Sequence, residues 1–342
     1  MPNLTKASKE LFKRTPDETF PSLPALLTHC VRQKEEGKDR WLSPKAVRAV
    51  PAEGRLVLAP DGDEPLTMND WSFTQLCGLA KVSKETVNRL SPDTASRVFA
   101  ETMPDTNKPV QLLHEGSRLR SVHGVSYTRL FNADLVAMLS EFAVDFQPPP
   151  VGLGGATGLY AGEQDLFCFM IDPTGWAEVE GEAFAPGFFV WNSEVGKRSV
   201  GISTFWFQAV CQNHIVWDAT DVVEITRKHT GKVVEALADI RRAVEQLVEK
   251  RDARRDGFVT VIRRAMETTL GDDADEALKV ISQQGIGKTL AKHAVELAQA
   301  QGRFTVFSVV DALTRLAGEC QYAGERHEAD QKAATLLKLV TA

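Results

Sequence analysis

The run SQQGIGKTLA at residues 282–291 comes near to a phosphate-binding loop. Such a loop needs glycine, four residues and then Gly-Lys-Ser/Thr between a strand and a helix, so that backbone N–H groups wrap the phosphates. Ser282 stands where the first glycine belongs, and helical residues precede it. Gly285 and Gly287 therefore read as the end of one helix, with Lys288 and Thr289 starting the next. GLGGATG has glycines at 152, 154, 155 and 158. A dinucleotide fingerprint would have its third glycine at 157, where Thr157 stands, and three prolines take the place of the strand before it. Asp17 with Glu36-Gly37-Lys38 imitates the acids and lysine of a metal-dependent nuclease, which must meet at neighbouring strand ends; Glu36 instead reads as a helix end. The histidines at 29, 114, 123, 214, 229, 293 and 327 show no HExxH spacing, and Cys211 with His214 has no further ligand in view. Cys30, Cys77, Cys168, Cys211 and Cys320 are scattered and odd in number, so they read as reduced thiols. No catalytic residue, metal or cofactor is expected on these grounds, and an enzyme would have to assemble its site from distant segments.

Cations suggest a different chemistry. The chain carries a net charge of −6, yet residues 226–264 hold eleven Lys or Arg against six Asp or Glu. A basic segment in an acidic chain can track phosphates, although the same charges suit the solvated side of a helix. FFVWNSEVGKRSVGIS reads as a β-hairpin with residues 192–196 at the turn, so that Lys197 and Arg198 project near its tip. TFWFQAVCQN reads as a helix starting after Ser203. It buries some of Phe205, Trp206 and Phe207, and an exposed ring there would be a platform for unpaired bases. QLCGLAKVSKETVNRL has the pattern of a helix-turn-helix. Leu76, Ala80, Val82, Val87 and Leu90 would pack two short helices, Ser83 would cap the second, and Lys84, Glu85, Asn88 and Arg89 would face a major groove. A plain helical pair in a core has the same pattern.

These residues need elements to hold them. From about residue 22 to 104 the pattern is helical or mixed. Short β-branched or aromatic runs then follow, separated by Gly, Pro, Asn and Asp, and read as strands and hairpins. NADLVAMLSEF between them reads as a helix capped by Asn132, and FQPPPVGLGGATG as a loop. After Thr226 the chain turns helical, with an apolar seam at Val233, Leu237, Ile240, Val244 and Leu247 that docks on the chain's own sheet or pairs subunits. The expected fold is α+β: a mostly helical N-terminal region (1–110), a central β-rich region (111–225) with an antiparallel sheet and hairpins, and a helical C-terminal region (226–342). No run approaches the roughly 20 apolar residues of a membrane span, and the start lacks the apolar stretch of a signal peptide, so a cytoplasmic protein without membrane contact is expected.

The joint order of several segments resembles a phage/plasmid-like family carrying a domain of unknown function. The matching features are Gln75-Leu76-Cys77, the Arg-x-x-Tyr-x-Arg-like strand ending at Arg129, Asn-Ser-Glu-x-Gly from 192 to 196, Cys211 with Asn213, and Arg-Lys-His-Thr from 227 to 230. The resemblance covers roughly residues 66–323. It implies a mobile-element protein without an assigned activity and, more distantly, similarity to single-strand annealing proteins, which form oligomers on DNA through a hairpin-bearing sheet backed by helices. The expected function is thus single-stranded nucleic-acid binding or strand annealing, with a homo-oligomer as the expected assembly. A helix-turn-helix regulator or an enzyme are the other readings. The expected contacts are Arg118, Arg120, Arg129, Lys197, Arg198, Arg227 and Lys228, with Trp206 as the stacking ring.

Overall fold

The computed structural model describes residues 10–62, 64–151, 157–209, 214–217, 224–300, 302 and 304–341. Cys211, Asn213 and residues 152–156 of the glycine-rich stretch lie outside them. The fold is α+β, with helices in both the N-terminal and C-terminal parts and two sheets between them. Among the described residues no helix is long and apolar enough to cross a membrane.

After the two-residue strand β1 (Glu18–Thr19), α1 (Leu23–Glu36) starts where the Ser22 hydroxyl accepts a hydrogen bond from the Ala25 N–H. It runs directly into β2 (Gly37–Leu42). A Cβ at Gly37 would lie 2.9 Å from the Gln33 carbonyl oxygen, so the abrupt exit requires glycine. β3 (Val47–Ala52) and β4 (Arg55–Pro60) form a hairpin whose two turn residues, Glu53 and Gly54, both have positive φ (49° and 74°), the twist that a two-residue turn needs. β5 (Leu66–Met68) follows, then α2 (Asp70–Ala80), α3 (Lys84–Val87), α4 (Pro92–Thr102), β6 (Val110–Glu115) and β7 (Arg118–Gly124). The six strands form a mixed sheet in the order β2-β6-β7-β5-β4-β3, with only β5 and β7 parallel. The N-terminal part is therefore helical with a sheet of its own, and that sheet continues across residue 110. β2 to β5 are three to six residues long, and β2, β3 and β4 carry charges, so no single one is long enough to establish a period of two.

The surface expected to read a major groove is split: Glu85 and Arg89 are exposed, Lys84 is half-buried and Asn88 turns inward. Leu76, Ala80 and Val87 pack in the core with Phe73 and Phe99, as the helical-pair pattern requires. However, α3 is a single turn. Asn88 is buried, and its amide donates to the Phe12 carbonyl and accepts from the Phe12 N–H, both at 2.8 Å. Lys84 reaches back to Asp70 at 2.6 Å. Asn88 anchors the N-terminal segment because a buried amide must satisfy both its donor and its acceptor.

α5 (Asn132–Phe142) leads into β8 (Leu159–Ala161), β9 (Leu166–Ile171), β10 (Ala177–Val179), β11 (Glu182–Asn192), β12 (Val200–Gln208), β13 (His214–Trp217) and β14 (Glu224–Arg227). Asn132 is the first helical residue rather than the cap, and the helix has no side-chain cap from position 131. With β1 the strands form an eight-stranded sheet, ordered β1-β8-β9-β11-β12-β13, in which β10 also pairs with β11 and β14 with β12. Where a helix is expected to start after Ser203, β12 continues through Phe205, Trp206 and Phe207 to Gln208, and residues 210–213 lie outside the described residues. It is an interior strand, paired with β11 on one side and with β13 and β14 on the other, and bulky aromatics suit a pleated surface buried on both faces. Phe205 and Phe207 face Phe167, Phe169 and Phe189, while Trp206 points the other way onto Phe258.

The remaining elements are helical: α6 (Glu235–Glu249), α7 (Arg251–Glu267), α8 (Ala274–Gln283), α9 (Lys288–Ala300), α10 (Val306–Gly318), α11 (Ala323–Ala334) and α12 (Lys338–Thr341). Gly285 and Gly287 fall between α8 and α9, as the helix-break reading requires. The seam docks on the chain's own core. Val233, Ile240, Val244 and Leu247 are buried with Val200 and Ile202 of β12 and Val136 of α5, and Leu237 packs against them. Each such side chain contributes roughly 1.5–3 kcal/mol on burial.

Asn88→Ala should lower stability by about 1–3 kcal/mol, because it strands the Phe12 backbone groups. Glu85→Ala, on the exposed side of the same turn, should stay within about 0.5 kcal/mol. Urea unfolding midpoints of the two variants check the pair; equal midpoints would contradict the inward anchor.

Candidate nucleic-acid interface

The β11–β12 hairpin does not present its tip to solvent as a free loop; it folds against the smaller sheet and α2. The Val195 carbonyl accepts from Trp71 Nε1 at 2.7 Å and Gln75 Nε2 at 3.0 Å. Gly196 has φ +78° and sits so close to His123 that a Cβ would meet its ring at 2.6 Å. Glu194, 3% exposed, lies 2.6 Å from Arg120 and accepts the first N–H of α5, that of Asn132, at 2.9 Å. That carboxylate at a helix start replaces the missing side-chain cap. Asn192 completes the clamp by donating to the Leu130 carbonyl and to Asn132 Oδ1.

The clamp decides the fate of the expected cations. Arg120 is buried on Glu194. Arg198 is held 2.8 Å from Asp165, whose side chain is fully buried, and lies over the Phe167 ring; it is therefore an internal ion-pair partner, not a projecting tip. Arg227 pairs with Asp239 and Glu235. Arg118, Lys197 and Lys228 remain exposed. Trp206 is 0% exposed, with its ring 3.9 Å from that of Phe258, so no base can reach it. The basic stretch after Thr226 is committed in part: Arg241 pairs with Glu245, Arg242 with Asp239, Arg251 with Asp172, and Arg255 with Asp252 and Asp256, while Lys232, Lys250, Arg263 and Arg264 are exposed.

Around the tip the structure gathers residues that the sequence scatters. Across the smaller sheet Trp41 of β2 pairs with Gln111 of β6, and Gln111 with His123 of β7, so their side chains form one row on one face. Arg129 lies over this row. Its Nη2 donates to Asp39 at 2.9 Å, two residues from Trp41 on the same face of β2, and to Gln111 at 3.4 Å. The His123 ring stacks on Tyr127 at 3.7 Å, and Tyr127 on His229 at 5.3 Å. Tyr127 donates to the Ser193 carbonyl, while Thr128 and His229 bond to each other's backbone and ring. Four of the five resembling segments thus meet here: Gln75, the Tyr127–Arg129 segment, which follows the end of β7 at Gly124 rather than forming the strand expected to end at Arg129, Asn192 to Gly196 and the run containing His229.

Hydrogen bonding sets the protons in this cluster. The Val122 N–H donates to Gln75 Oε1, so the Gln75 amide nitrogen faces His123 Nδ1 at 3.5 Å. Nδ1 then accepts and Nε2 carries the proton. His229 Nδ1 faces the Thr128 carbonyl and donates, leaving Nε2 as an acceptor. Burial, aided by Arg129 and His229, pushes His123 down to about 3. Burial also lowers His229, so both rings are neutral at pH 7. Both Nε2 atoms are buried and without a partner among the described residues, as are Arg129 Nε and Nη1. The Arg129 side chain is 4% exposed. Three buried donor atoms, Arg129 Nε and Nη1 and His123 Nε2, thus lie under the row that carries the exposed Trp41 ring (47%); exposed Lys228 is next to His229 in sequence, and exposed Lys197 next to Gly196, which abuts His123. Buried donors without partners mark places where an acceptor belongs.

Sequence reasoning named Arg129, Lys197 and Lys228 but missed Trp41, Gln111, His123 and His229 as members of one site. The single available signal was a tryptophan in a charged run, KDRWL, outside any apolar stripe. The histidines have no mutual spacing because they are brought together by stacking on Tyr127.

A second polar cluster lies on the other side of the tip. Asp165 and Asp17 share Arg14, and Asp17 accepts the Ala323 N–H at the start of α11. Glu163 in the same turn is 8% exposed, and both its carboxylate oxygens lack partners among the described residues. Burial, with Asp70 adding to it, raises its pKa to about 7. Among the described residues no group of three or more His, Cys, Asp or Glu has the arrangement of a metal centre.

The family described as a domain of unknown function, DUF932, matches residues 121–336, more than half of the chain. That span includes the hairpin, Tyr127, Arg129 and His229. No curated protein and no solved structure matches.

Arg198→Ala should cost about 2–4 kcal/mol, because it removes one partner of a buried carboxylate whose other cation, Arg14, is 3.6 Å away. Lys197→Ala should cost less than about 0.5 kcal/mol. Thermal unfolding of the two variants separates them, and equal stability would refute the internal role of Arg198. Glu163, raised from 4.5 to about 7, favours its proton-bound form in the folded chain. Its contribution is fully present below pH 4.5 and lost as pH rises to about 7. Glu163→Gln should flatten that decline, and parallel stability profiles for the variant and the parent chain would count against it.

Proposed function

We propose that this chain, which belongs to the family defined by the domain of unknown function DUF932, binds single-stranded nucleic acid across the Trp41–Arg129 row. The observation that carries the reading is the half-exposed Trp41 ring on the row that Arg129 covers, with exposed Lys197 and Lys228 near the same ring stack. An aromatic platform next to cations suits unpaired bases and their phosphates, and stacking is worth about 1–3 kcal/mol per base. Lys197 and Lys228 serve as the exposed phosphate contacts, while Arg129 supplies charge from beneath. Trp41 belongs to β2, an edge strand of the smaller sheet, so one side of the ring's strand has no neighbouring strand to cover it.

The motif order supports a mobile-element setting, in which strand annealing by a homo-oligomer is the natural extension of single-strand binding. Duplex reading by α3 has less support, because a one-turn helix with Asn88 turned inward offers few side chains to base edges.

Trp41→Ala should weaken binding of a labelled thymidine oligonucleotide roughly tenfold or more, with little change in melting temperature because the ring is half exposed. Lys197→Ala with Lys228→Ala should flatten the dependence of log K on log salt by about 1.4, two contacts at about 0.7 each. Fluorescence anisotropy at several salt concentrations reads both effects. Absence of binding by the unaltered chain at low salt, or equal affinity for Trp41→Ala, would overturn the proposal.

A further inference from the structure

The α8–α9 hairpin carries a groove of about 580 Å³, lined by Asp275, Leu278, Lys279, Ser282, Gln283, Lys288 and Lys292. Its volume falls within the roughly 300–1,000 Å³ of small-molecule sites. Lys279 lies on the α8 wall, and Lys288 and Lys292, one helical turn apart, lie on the α9 wall. Lys279 and Lys288 have no ion pair among the described residues, and Lys292 is 3.9 Å from Glu296. This contrasts with the cations at the hairpin tip and along α6 and α7, most of which are consumed by carboxylates. Asp275, one turn before Lys279 on α8, is the one carboxylate among the lining residues, so the three lysines leave the groove net cationic and their mutual repulsion only partly offset.

The groove is also held in shape. Ile286, between the two helices, is buried in the core with Ile281 and Ala291, so the turn that sets Lys288 opposite Lys279 is anchored from inside. Gly285, at φ +79°, takes the left-handed conformation that ends α8. Leu278 adds an apolar surface between the lysines. Ser282 and Lys288, two positions of the imperfect phosphate-loop pattern, both line the groove. The element before them is α8 rather than a strand, so phosphate contact here would come from lysine side chains and the Ser282 hydroxyl instead of a backbone nest.

We infer that the α8–α9 groove is a binding site for a phosphate-bearing ligand, with the phosphates on Lys279, Lys288 and Lys292 and an apolar portion over Leu278. The site stands apart from the Trp41 row and does not depend on it. Two sources supply that chemistry, a free small phosphate compound and a nucleic-acid backbone. The test uses the full chain carrying Trp41→Ala, with and without Lys279→Ala, Lys288→Ala and Lys292→Ala together. Inorganic pyrophosphate and a twelve-residue thymidine oligonucleotide are titrated by calorimetry at low salt in the presence of a chelator. A tenfold or greater loss of pyrophosphate affinity in the triple-lysine variant supports the site and assigns it to small phosphate compounds. A comparable loss for the oligonucleotide alone, with the salt slope flattened by about 2, supports the site and assigns it to a backbone. Lys288→Glu alone should reproduce the loss with unchanged melting temperature, since the residue is exposed. Affinity for both probes that is unchanged by the lysine substitutions, or undetectable before them, overturns the inference whatever becomes of Trp41.

Discussion

The buried carboxylate of Glu194 is the constraint on which the rest of the structure depends. A charge with 3% exposure is tolerable only when its partners are in place. Here Arg120 comes from β7 and the Asn132 N–H from the start of α5. One side chain therefore ties the long hairpin of the large sheet to a strand of the small sheet and to the first turn of a helix. Trp71 and Gln75 of α2 hold the adjacent Val195 carbonyl, so the tip is fixed from several directions at once. The register of β11 and β12 is transmitted through this clamp to the stack of His123, Tyr127 and His229.

Fixing the tip redistributes charge. A turn that looks basic in sequence becomes an internal junction, because Asp165 and Glu194 are buried beside it and claim Arg198 and Arg120. Two of the cations left exposed, Lys197 and Lys228, lie near the ring stack, and Arg129 is held below by Asp39. The acidic net charge is therefore compatible with a local cationic surface. What matters is which carboxylates lie within ion-pair distance, not how many the chain contains.

The aromatic residues follow a related logic. β9, β11 and β12 are central strands with both faces covered, so Phe167, Phe169, Phe188, Phe189, Phe205 and Trp206 fill volume on one side or the other. Trp41 is different because β2 is an edge strand and the three residues before it, Lys38, Asp39 and Arg40, are charged. The ring suited to ligand contact thus comes from a short charged segment, and the aromatic-rich run builds the core.

The chain's own pattern determined the α+β class, the hairpin of β11 and β12, the docking seam of α6 and the helix break at Gly285. Each is a local property: alternation or helical spacing of apolar residues, and turn residues at their punctuation. The pattern misread β12 as a helix beyond Ser203, since an aromatic run buried on both faces has lost the alternation that separates strand from helix. It also missed β2 to β5, which are too short to show a period. Only the tertiary structure decided the site. Arg129 and Lys228 were visible as cations, but whether a cation is free depends on carboxylates far away in sequence, as Asp165 to Arg198 and Asp39 to Arg129 show. The row from Trp41 through Gln111 to His123 depends on pairing across three strands, and its closure by His229 spans more than a hundred residues. Spacing along a chain carries no trace of such contacts, because register and packing, rather than local preference, bring those side chains together.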